Sequence, residues 1–164
     1  PLVVAGQGTL GLEILDQIWD FDTIVIAVGG GGLVAGLSTA IKARRAEARV
    51  VAVEPVGSPT IHASLAAGRV VTLPEITSRV ATMSCRRTDE RVFEIARRTI
   101  DAAVLVSDEA MLEASRWLWF EMGIAADLSG AASIAALQSG NPVFAGSRRI
   151  CALVCGAGAE GITS

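Results

Sequence analysis

One stretch of this sequence constrains the fold more than any other: a short apolar run at residues 24–28, Ile-Val-Ile-Ala-Val. Four glycines follow it directly, namely Gly29, Gly30, Gly31 and Gly32. The β-branched run predicts a strand buried on both faces, and residues 33–45 behind the glycines have helical spacing of apolar side chains. A turn without side chains at the start of a helix lets backbone N–H groups point into open space. The stretch therefore predicts an anion site, most often one for a phosphate.

Strand and helix patterns alternate along the rest of the chain. Further strands are predicted at residues 49–55, 103–106 and 150–154. Helices are predicted at residues 10–19, 59–67, 89–100, 108–122 and 129–140, the last with Ser129 as its cap. This alternation predicts a single α/β domain over residues 1–164, with a mostly parallel sheet between two layers of helices.

The remaining segments carry weaker patterns. Residues 2–5 are interpreted as a short strand or a buried extended lead, and residues 6–9 as a turn that ends in a helix cap at Thr9. Residues 74–87 are the least regular part of the chain and are predicted to form a loop. A start at Pro1 followed directly by core-like residues indicates a piece of a larger fold.

The net charge, the length of the apolar runs and the number of cysteines exclude several classes of function. A net charge of −3 gives no electrostatic basis for binding nucleic acid, and no apolar run approaches the length that spans a membrane. The three cysteines show no metal-ligand spacing and leave one unpaired in any disulfide scheme. The chain opens without the basic and apolar segments of a secretory signal. These features favour a reduced, cytoplasmic protein without a metal site.

Two nucleotide-binding patterns compete for the glycine turn. The P-loop pattern is excluded because Leu33 and Val34 stand where it needs lysine and serine or threonine. The dinucleotide pattern fits better: Gly30, Gly32 and Ala35 match its spacing, and Glu54 ends the next strand where a ribose-binding acid belongs. The same glycine spacing also occurs near both ends of the chain, which weakens the match. A small Rossmann-like nucleotide-binding domain therefore stays open as an alternative.

Six ordered blocks of the sequence resemble the threonine/serine dehydratases, enzymes of the pyridoxal-phosphate (PLP) fold-type II group. The blocks lie at residues 5–14, 28–33, 53–55, 106–109, 127–132 and 154–157. The similarity covers essentially the whole chain and corresponds to about the second half of a family member. The fold it implies is part of the PLP fold-type II large domain.

The resemblance implies a set of cofactor-binding residues. Backbone groups of Gly29, Gly30, Gly31, Gly32 and Leu33 would hold the cofactor phosphate. Cys155, followed by Gly156, would face the pyridine nitrogen. A neutral partner at that nitrogen does not hold the ring protonated, which favours prompt β-elimination over transamination.

The sequence also departs from the family pattern. The family's Glu-Pro is Asp127-Leu128 here, and its Ala-Asp-Gly segment falls near residues 78–80. Glu54 matches the first ligand of a divalent cation that some relatives bind, but Thr60 stands near the position of the second acid. No metal site is therefore predicted.

No residue of this chain is predicted to be catalytic. The family attaches PLP through a lysine in a segment that would lie before Pro1. Lys42 is the only lysine here, and its place in the predicted helix puts it roughly 15 Å from the phosphate end. It is interpreted as a solvated helix residue, and the single histidine, His62, as a surface or interface residue.

The sequence thus predicts the C-terminal part of a PLP-dependent enzyme that eliminates water and ammonia from threonine or serine. Without the lysine segment we expect the chain alone to be inactive. The expected partners are a phosphate-bearing small molecule and either further copies of the chain or a complementing N-terminal half. The alternative from another class of function is an oligomeric module that binds an anion and has no enzyme activity.

Overall fold

The central strand of the protein is the apolar run itself. A computed structural model describes residues 2–163 and shows this run as β1 (Thr23–Ala27), buried along its whole length. The elements around it, in chain order, are α1 (Leu2–Gln17), α2 (Gly32–Arg44), β2 (Arg49–Pro55), α3 (Thr60–Ala67), α4 (Glu90–Thr99), β3 (Ala102–Val106), α5 (Asp108–Met122), α6 (Leu128–Gln138), β4 (Ile150–Ala152) and α7 (Glu160–Thr163). The predicted loop at 74–87 contains only a short 3₁₀ turn, Ala81–Met83.

The four strands form one sheet in the order β3-β2-β1-β4, and every pair is parallel. Ile24 of β1 lies beside Val50 on one side and Cys151 on the other. Parallel neighbours need crossover connections, and here helices supply them. The predicted α/β fold with a parallel sheet is confirmed.

Helices cover both faces of the sheet, as the alternating side chains of β1 require. Ile24 and Ile26 pack into a core formed with α1, α2 and α4, which includes Leu37 and Ile41. Val25 packs on the opposite face, where small residues of α6 and Met111 of α5 complete a second core. The predicted three-layer arrangement is therefore present. None of the helices formed by residues 2–163 has the length and apolar character needed to cross a bilayer.

The beginning of the chain differs from the sequence-based expectation. Residues 2–9 were expected to form an extended lead and a turn, but they are the first half of α1. Gly8 of the predicted turn and Gly11 face α2: a Cβ on Gly8 would lie 3.4 Å from the Gly36 carbonyl oxygen, and one on Gly11 would lie 3.0 Å from the Ala40 Cβ. Close packing of two helices thus overrides the low helix propensity of glycine.

A buried carboxylate anchors α3 to the end of β2. The Glu54 side chain is 0% exposed, and its two oxygens accept hydrogen bonds from the N–H groups of Ile61 and His62, each at 2.8 Å. These donors belong to the first turn of α3, where backbone N–H groups lack helical partners. Burial raises the pKa of Glu54 to about 7, although the hydrogen bonds from Ile61 and His62 act to lower it.

We predict that Gly36→Ala destabilises the domain by roughly 1–3 kcal/mol through overpacking. A Cβ at Gly36 would lie 2.5 Å from the Val4 carbonyl oxygen and 2.7 Å from the Gly8 nitrogen, so the backbones of α1 and α2 must separate. Urea unfolding measures the change. The matched control is Gly6→Ala, also in α1, where an added Cβ meets no atom within 4 Å and raises helix propensity. Equal stability of Gly36→Ala and the wild type would contradict this packing.

We predict that Glu54 makes the domain less stable as the pH rises from 5 to 8. A carboxyl with an ordinary pKa of 4.5 and a folded pKa of about 7 binds its proton more tightly in the folded state. Its contribution is full below pH 4.5 and is lost as the pH rises through 7, by about 3 kcal/mol in total. Urea unfolding should show this slope in the wild type and not in Glu54→Gln. The exposed carboxyl in Glu121→Gln is the control, which should keep the wild-type slope.

Candidate functional site

The glycine turn forms the wall of a small cavity at the carboxyl end of β1. The turn lies between the end of β1 and the start of α2, with Gly31 as the N-cap residue of that helix. The cavity has a volume of about 190 Å³. It is lined by Ala27, Val28, Gly29, Gly30, Gly31, Gly32, Leu33, Thr82, Met83, Ser129 and Cys155. Six of the seven residues expected to bind the cofactor, all but Gly156, thus line one cavity.

The backbone amides of this turn are free to bind an anion. Within residues 2–163, no hydrogen bond to a protein acceptor is donated by the N–H groups of Gly29, Gly30, Gly31, Gly32 or Leu33. The first intrahelical bond of α2 runs from Ala35 N–H to the Gly31 carbonyl oxygen, at 3.0 Å. The positive end of the α2 dipole adds to the attraction for a negative group. The turn therefore has the unpaired donors that a phosphate requires.

Two of the four glycines are required by the structure around them. A Cβ on Gly29 would lie 2.5 Å from the Thr82 carbonyl oxygen, so the 81–83 turn closes over this position. Gly31 has a φ of +88°, and a Cβ there would lie 2.6 Å from Val92 Cγ1. Gly30, by contrast, is exposed, and an added Cβ would meet no atom within 4 Å. The close contacts at Gly29 and Gly31 determine the shape of the turn, whereas the turn is exposed to solvent at Gly30.

Cys155 lines the same cavity as the glycine turn. Its Sγ is 3.8 Å from the Ser129 carbonyl oxygen. Desolvation of the sulfur is the main cause that raises the pKa of the Cys155 thiol, and the negative charge of Asp127 is the second. The thiol is therefore protonated and neutral at pH 7, as the sequence-based interpretation of this position requires.

Asp127 organises the start of α6 and the chain after Cys155. Its Oδ1 accepts hydrogen bonds from the Gly130 N–H at 2.5 Å and from the Ser129 hydroxyl at 2.8 Å. Asp127, and not Ser129 as expected, is thus the helix cap. Gly156 packs here: its carbonyl oxygen accepts the Asp127 N–H at 3.2 Å, and a Cβ on it would lie 2.5 Å from Asp127 Oδ1. Gly156 packs against Asp127 and does not line the cavity, and its contact with a cofactor stays a prediction.

The other sequence candidates lie outside the cavity. Lys42 is not a freely solvated residue, since its Nζ lies 2.8 Å from Asp101 Oδ2 and its side chain is 19% exposed. His62 is exposed, as expected. Glu54 binds the first turn of α3 in place of a ribose or a cation. Among residues 2–163, no three His, Cys, Asp or Glu side chains come together in the way that a metal ion needs.

Five of the eleven lining residues were not predicted as site residues, and two of these, Ala27 and Val28, belong to the predicted strand before the turn. Thr82 and Met83 belong to the irregular 74–87 segment, which has no periodicity that could place it over the glycine turn. Ser129 was predicted only as a helix cap. The single available signal was Gly29, because consecutive glycines indicate a close approach of another backbone.

Comparison with known proteins gives a consistent match. The chain is 33% identical to phenylserine dehydratase of Ralstonia pickettii over 160 residues, which cover 98% of this chain and 49% of that protein. It is also 33% identical to L-threonine ammonia-lyase of Geobacter sulfurreducens over 153 residues, or 93% of this chain and 38% of that one. The chain therefore spans less than half the length of either relative.

Solved structures show the same relation. The crystal structure of a T.th. threonine deaminase superposes with a TM-score of 0.87 at 38% identity, over 96% of this chain and 58% of that one. Maize serine racemase gives a TM-score of 0.88 at 30% identity, over 94% of this chain and 49% of that one.

The family described as pyridoxal-phosphate dependent enzymes matches residues 1–156. The resemblance inferred from the six sequence blocks is confirmed, and the chain belongs to the family of pyridoxal-phosphate dependent enzymes.

Proposed function

We propose that this chain is the phosphate- and ring-binding part of a PLP-dependent dehydratase that acts on hydroxy amino acids such as threonine or serine. The observation that carries the proposal is the single cavity formed by the unpaired amides of Gly29–Gly32 and the neutral thiol of Cys155. The substrate class is supported by the relatives, which are named for phenylserine and L-threonine.

The residues of the cavity fit PLP at both ends of the molecule. Unpaired amides at the start of α2 suit a phosphate, whose charge they and the helix dipole neutralise. The Cys155 thiol suits the pyridine nitrogen, because a neutral group there leaves the ring unprotonated. When bound, PLP supplies an electron sink that stabilises negative charge on the α-carbon of an amino acid.

Each group of this chain has a defined part in holding the cofactor. The glycine turn binds and orients the phosphate through its amides. A thiol is protonated at pH 7, and desolvation and the charge of Asp127 raise the pKa of Cys155 further, so that no negative charge faces the ring. Met83 and Thr82 close one side of the cavity and reduce the access of water to it.

The chain alone is proposed to lack activity. Its only lysine, Lys42, is held by Asp101 in an ion pair outside the cavity, so it does not offer an amine to the cofactor. A complementing N-terminal half that brings a lysine is the proposed partner, with association into oligomers as the second expectation. A cytoplasmic location, expected from the unpaired cysteines, belongs to the same proposal.

The structure favours neither alternative from the sequence. A nucleotide-binding domain would use Glu54 for the ribose, but both oxygens of that carboxylate bind the α3 backbone. A pure assembly module has no need for unpaired amides and a thiol in the same cavity. PLP binding accounts for both features.

The test of the cofactor proposal is binding of PLP and of pyridoxal, which lacks the phosphate, by isothermal titration calorimetry. We expect the wild type to prefer PLP, and Gly30→Asp to lose at least about tenfold in PLP affinity, because a carboxylate beside the phosphate repels it. Gly30→Ala is the matched control, since it adds the same Cβ without charge at a position with open space. Equal affinity of the wild type for PLP and pyridoxal would contradict the phosphate site.

The second test is activity. With saturating PLP and either threonine or serine, the purified chain should form no 2-oxo acid above a protein-free control, because Lys42 lies outside the cavity and pairs with Asp101. The assay couples product formation to a keto-acid reductase. Turnover by the chain alone would show that an amine of the chain reaches the cofactor, and the proposal of inactivity would be wrong.

We predict that Asp127→Asn lowers the pKa of the Cys155 thiol. Asparagine keeps the oxygen that caps α6 but removes the charge that disfavours the thiolate. The rate of alkylation of Cys155 by iodoacetamide, followed against pH in a Cys85→Ser/Cys151→Ala background, gives the pKa. Asp16→Asn on the surface of α1 is the control and should leave the profile unchanged. The same profile for Asp127→Asn and its parent would refute the electrostatic role of Asp127.

A further inference from the structure

A buried hydroxyl outside the cavity donates a hydrogen bond to the glycine turn. Thr88 is 2% exposed, and its Oγ1 donates a hydrogen bond to the Gly30 carbonyl oxygen at 3.1 Å. Thr88 directly precedes Asp89, the N-cap residue of α4. It does not line the cavity and is separated from Gly30 by 58 positions in the sequence. The hydrogen bond is therefore a tertiary contact between distant parts of the sequence.

This hydrogen bond fixes the direction of one of the unpaired amides. In a planar trans peptide, the carbonyl of one residue and the N–H of the next point in opposite directions. The hydrogen bond from the Thr88 hydroxyl directs the Gly30 carbonyl toward Thr88. The Gly31 N–H, in the same peptide unit, then points away from Thr88, and Gly31 itself lines the cavity.

The neighbours of Thr88 prevent the turn from relaxing outward. Val92 Cγ1 and Ile61 Cδ1 lie 2.6 and 3.6 Å from the position that a Cβ on Gly31 would take. The turn is therefore backed by apolar side chains of α3 and α4, and the Thr88 hydroxyl is the polar contact among them. Glycine residues have wide conformational freedom, so one directional bond has a large effect on their orientation.

The segment that carries Thr88 is itself held in place. The Cys85 carbonyl oxygen accepts hydrogen bonds from the Thr60 hydroxyl at 2.6 Å and the Ser58 hydroxyl at 3.1 Å, and the Cys85 N–H donates to Ser58 Oγ at 3.0 Å. These contacts tie residues 85–88 to the start of α3, which Glu54 anchors to the sheet. The backbone that carries Thr88 is thus held in a defined position relative to α3.

We propose that Thr88 is a positioning residue of the phosphate site: its hydroxyl turns the Gly30–Gly31 peptide so that the Gly31 amide faces the bound phosphate. The inference rests on the proposed function, since it takes the glycine turn to be the phosphate-binding element. It adds a residue that touches neither the phosphate nor the ring. The chemistry it serves is recognition of the phosphate group and not of the pyridine.

The experiment compares Thr88→Val, which keeps the shape and removes the hydroxyl, with Thr88→Ser, which keeps the hydroxyl. The first readout is the ratio of the affinities for PLP and pyridoxal, which isolates the phosphate contribution. We expect Thr88→Val to reduce this ratio on the order of tenfold, the effect of one lost hydrogen bond, with the affinity for pyridoxal unchanged. Thr88→Ser should keep the wild-type ratio.

The second readout needs no ligand. Backbone ¹⁵N order parameters of Gly30 and Gly31 should fall in Thr88→Val and remain at the wild-type value in Thr88→Ser, because the peptide unit gains freedom when its carbonyl is released. Urea unfolding of both variants checks the fold. If Thr88→Val does not fold, Thr88→Ala takes its place as the variant without a hydroxyl.

The outcomes separate this inference from the proposed function. A wild type without preference for PLP over pyridoxal overturns the phosphate site and the inference together. A wild type with the preference, and a Thr88→Val variant that keeps it, overturns the inference alone. Unchanged order parameters in the variant also overturn it. A reduced ratio with reduced order, restored by serine, supports it.

Discussion

The pairing of β1 with strands on both sides determines where the candidate site forms. Because β2, β1 and β4 are parallel, their carboxyl ends meet at one edge of the sheet. The glycine turn leaves β1 at this edge, Cys155 follows β4, and Glu54 lies at the end of β2. Amides, thiol and the anchor of α3 thus come together from distant parts of the sequence. Burial of β1 on both faces keeps this edge fixed.

The absence of a side chain is used in two different ways in this protein. At Gly29 and Gly31 it lets other parts of the chain close around the turn while its amides stay free. At Gly8, Gly11 and Gly36 it brings the backbones of α1 and α2 into contact. The first use serves binding and the second serves packing. Their sequence patterns are similar, which explains why glycine spacing alone did not distinguish a turn from a helix contact.

The sequence was sufficient to predict the parallel sheet and the site at its carboxyl edge, because buried strands and the glycine turn have strong local sequence patterns. The predicted strand at residues 49–55 has the observed bounds of β2. Prediction failed where tertiary contacts decide the outcome. The first half of α1 is helical because of its contact with α2. At the start of α6 the error was local, because Asp127 and Ser129 are both good cap residues and Asp127 accepts the Gly130 N–H. Thr88 could not be found at all, since a single hydroxyl in an irregular segment leaves no pattern.

Folding of this protein is coupled to the uptake of a proton by Glu54. Between pH 4.5 and 7 the carboxyl is mostly ionised in the unfolded chain and mostly protonated in the buried position at the end of β2. Each molecule that folds in this interval therefore takes up a large fraction of a hydrogen ion from its buffer. The heat released on folding then includes the heat of ionisation of that buffer. Calorimetry of this protein in phosphate and in imidazole would accordingly give two different enthalpies for one structural transition.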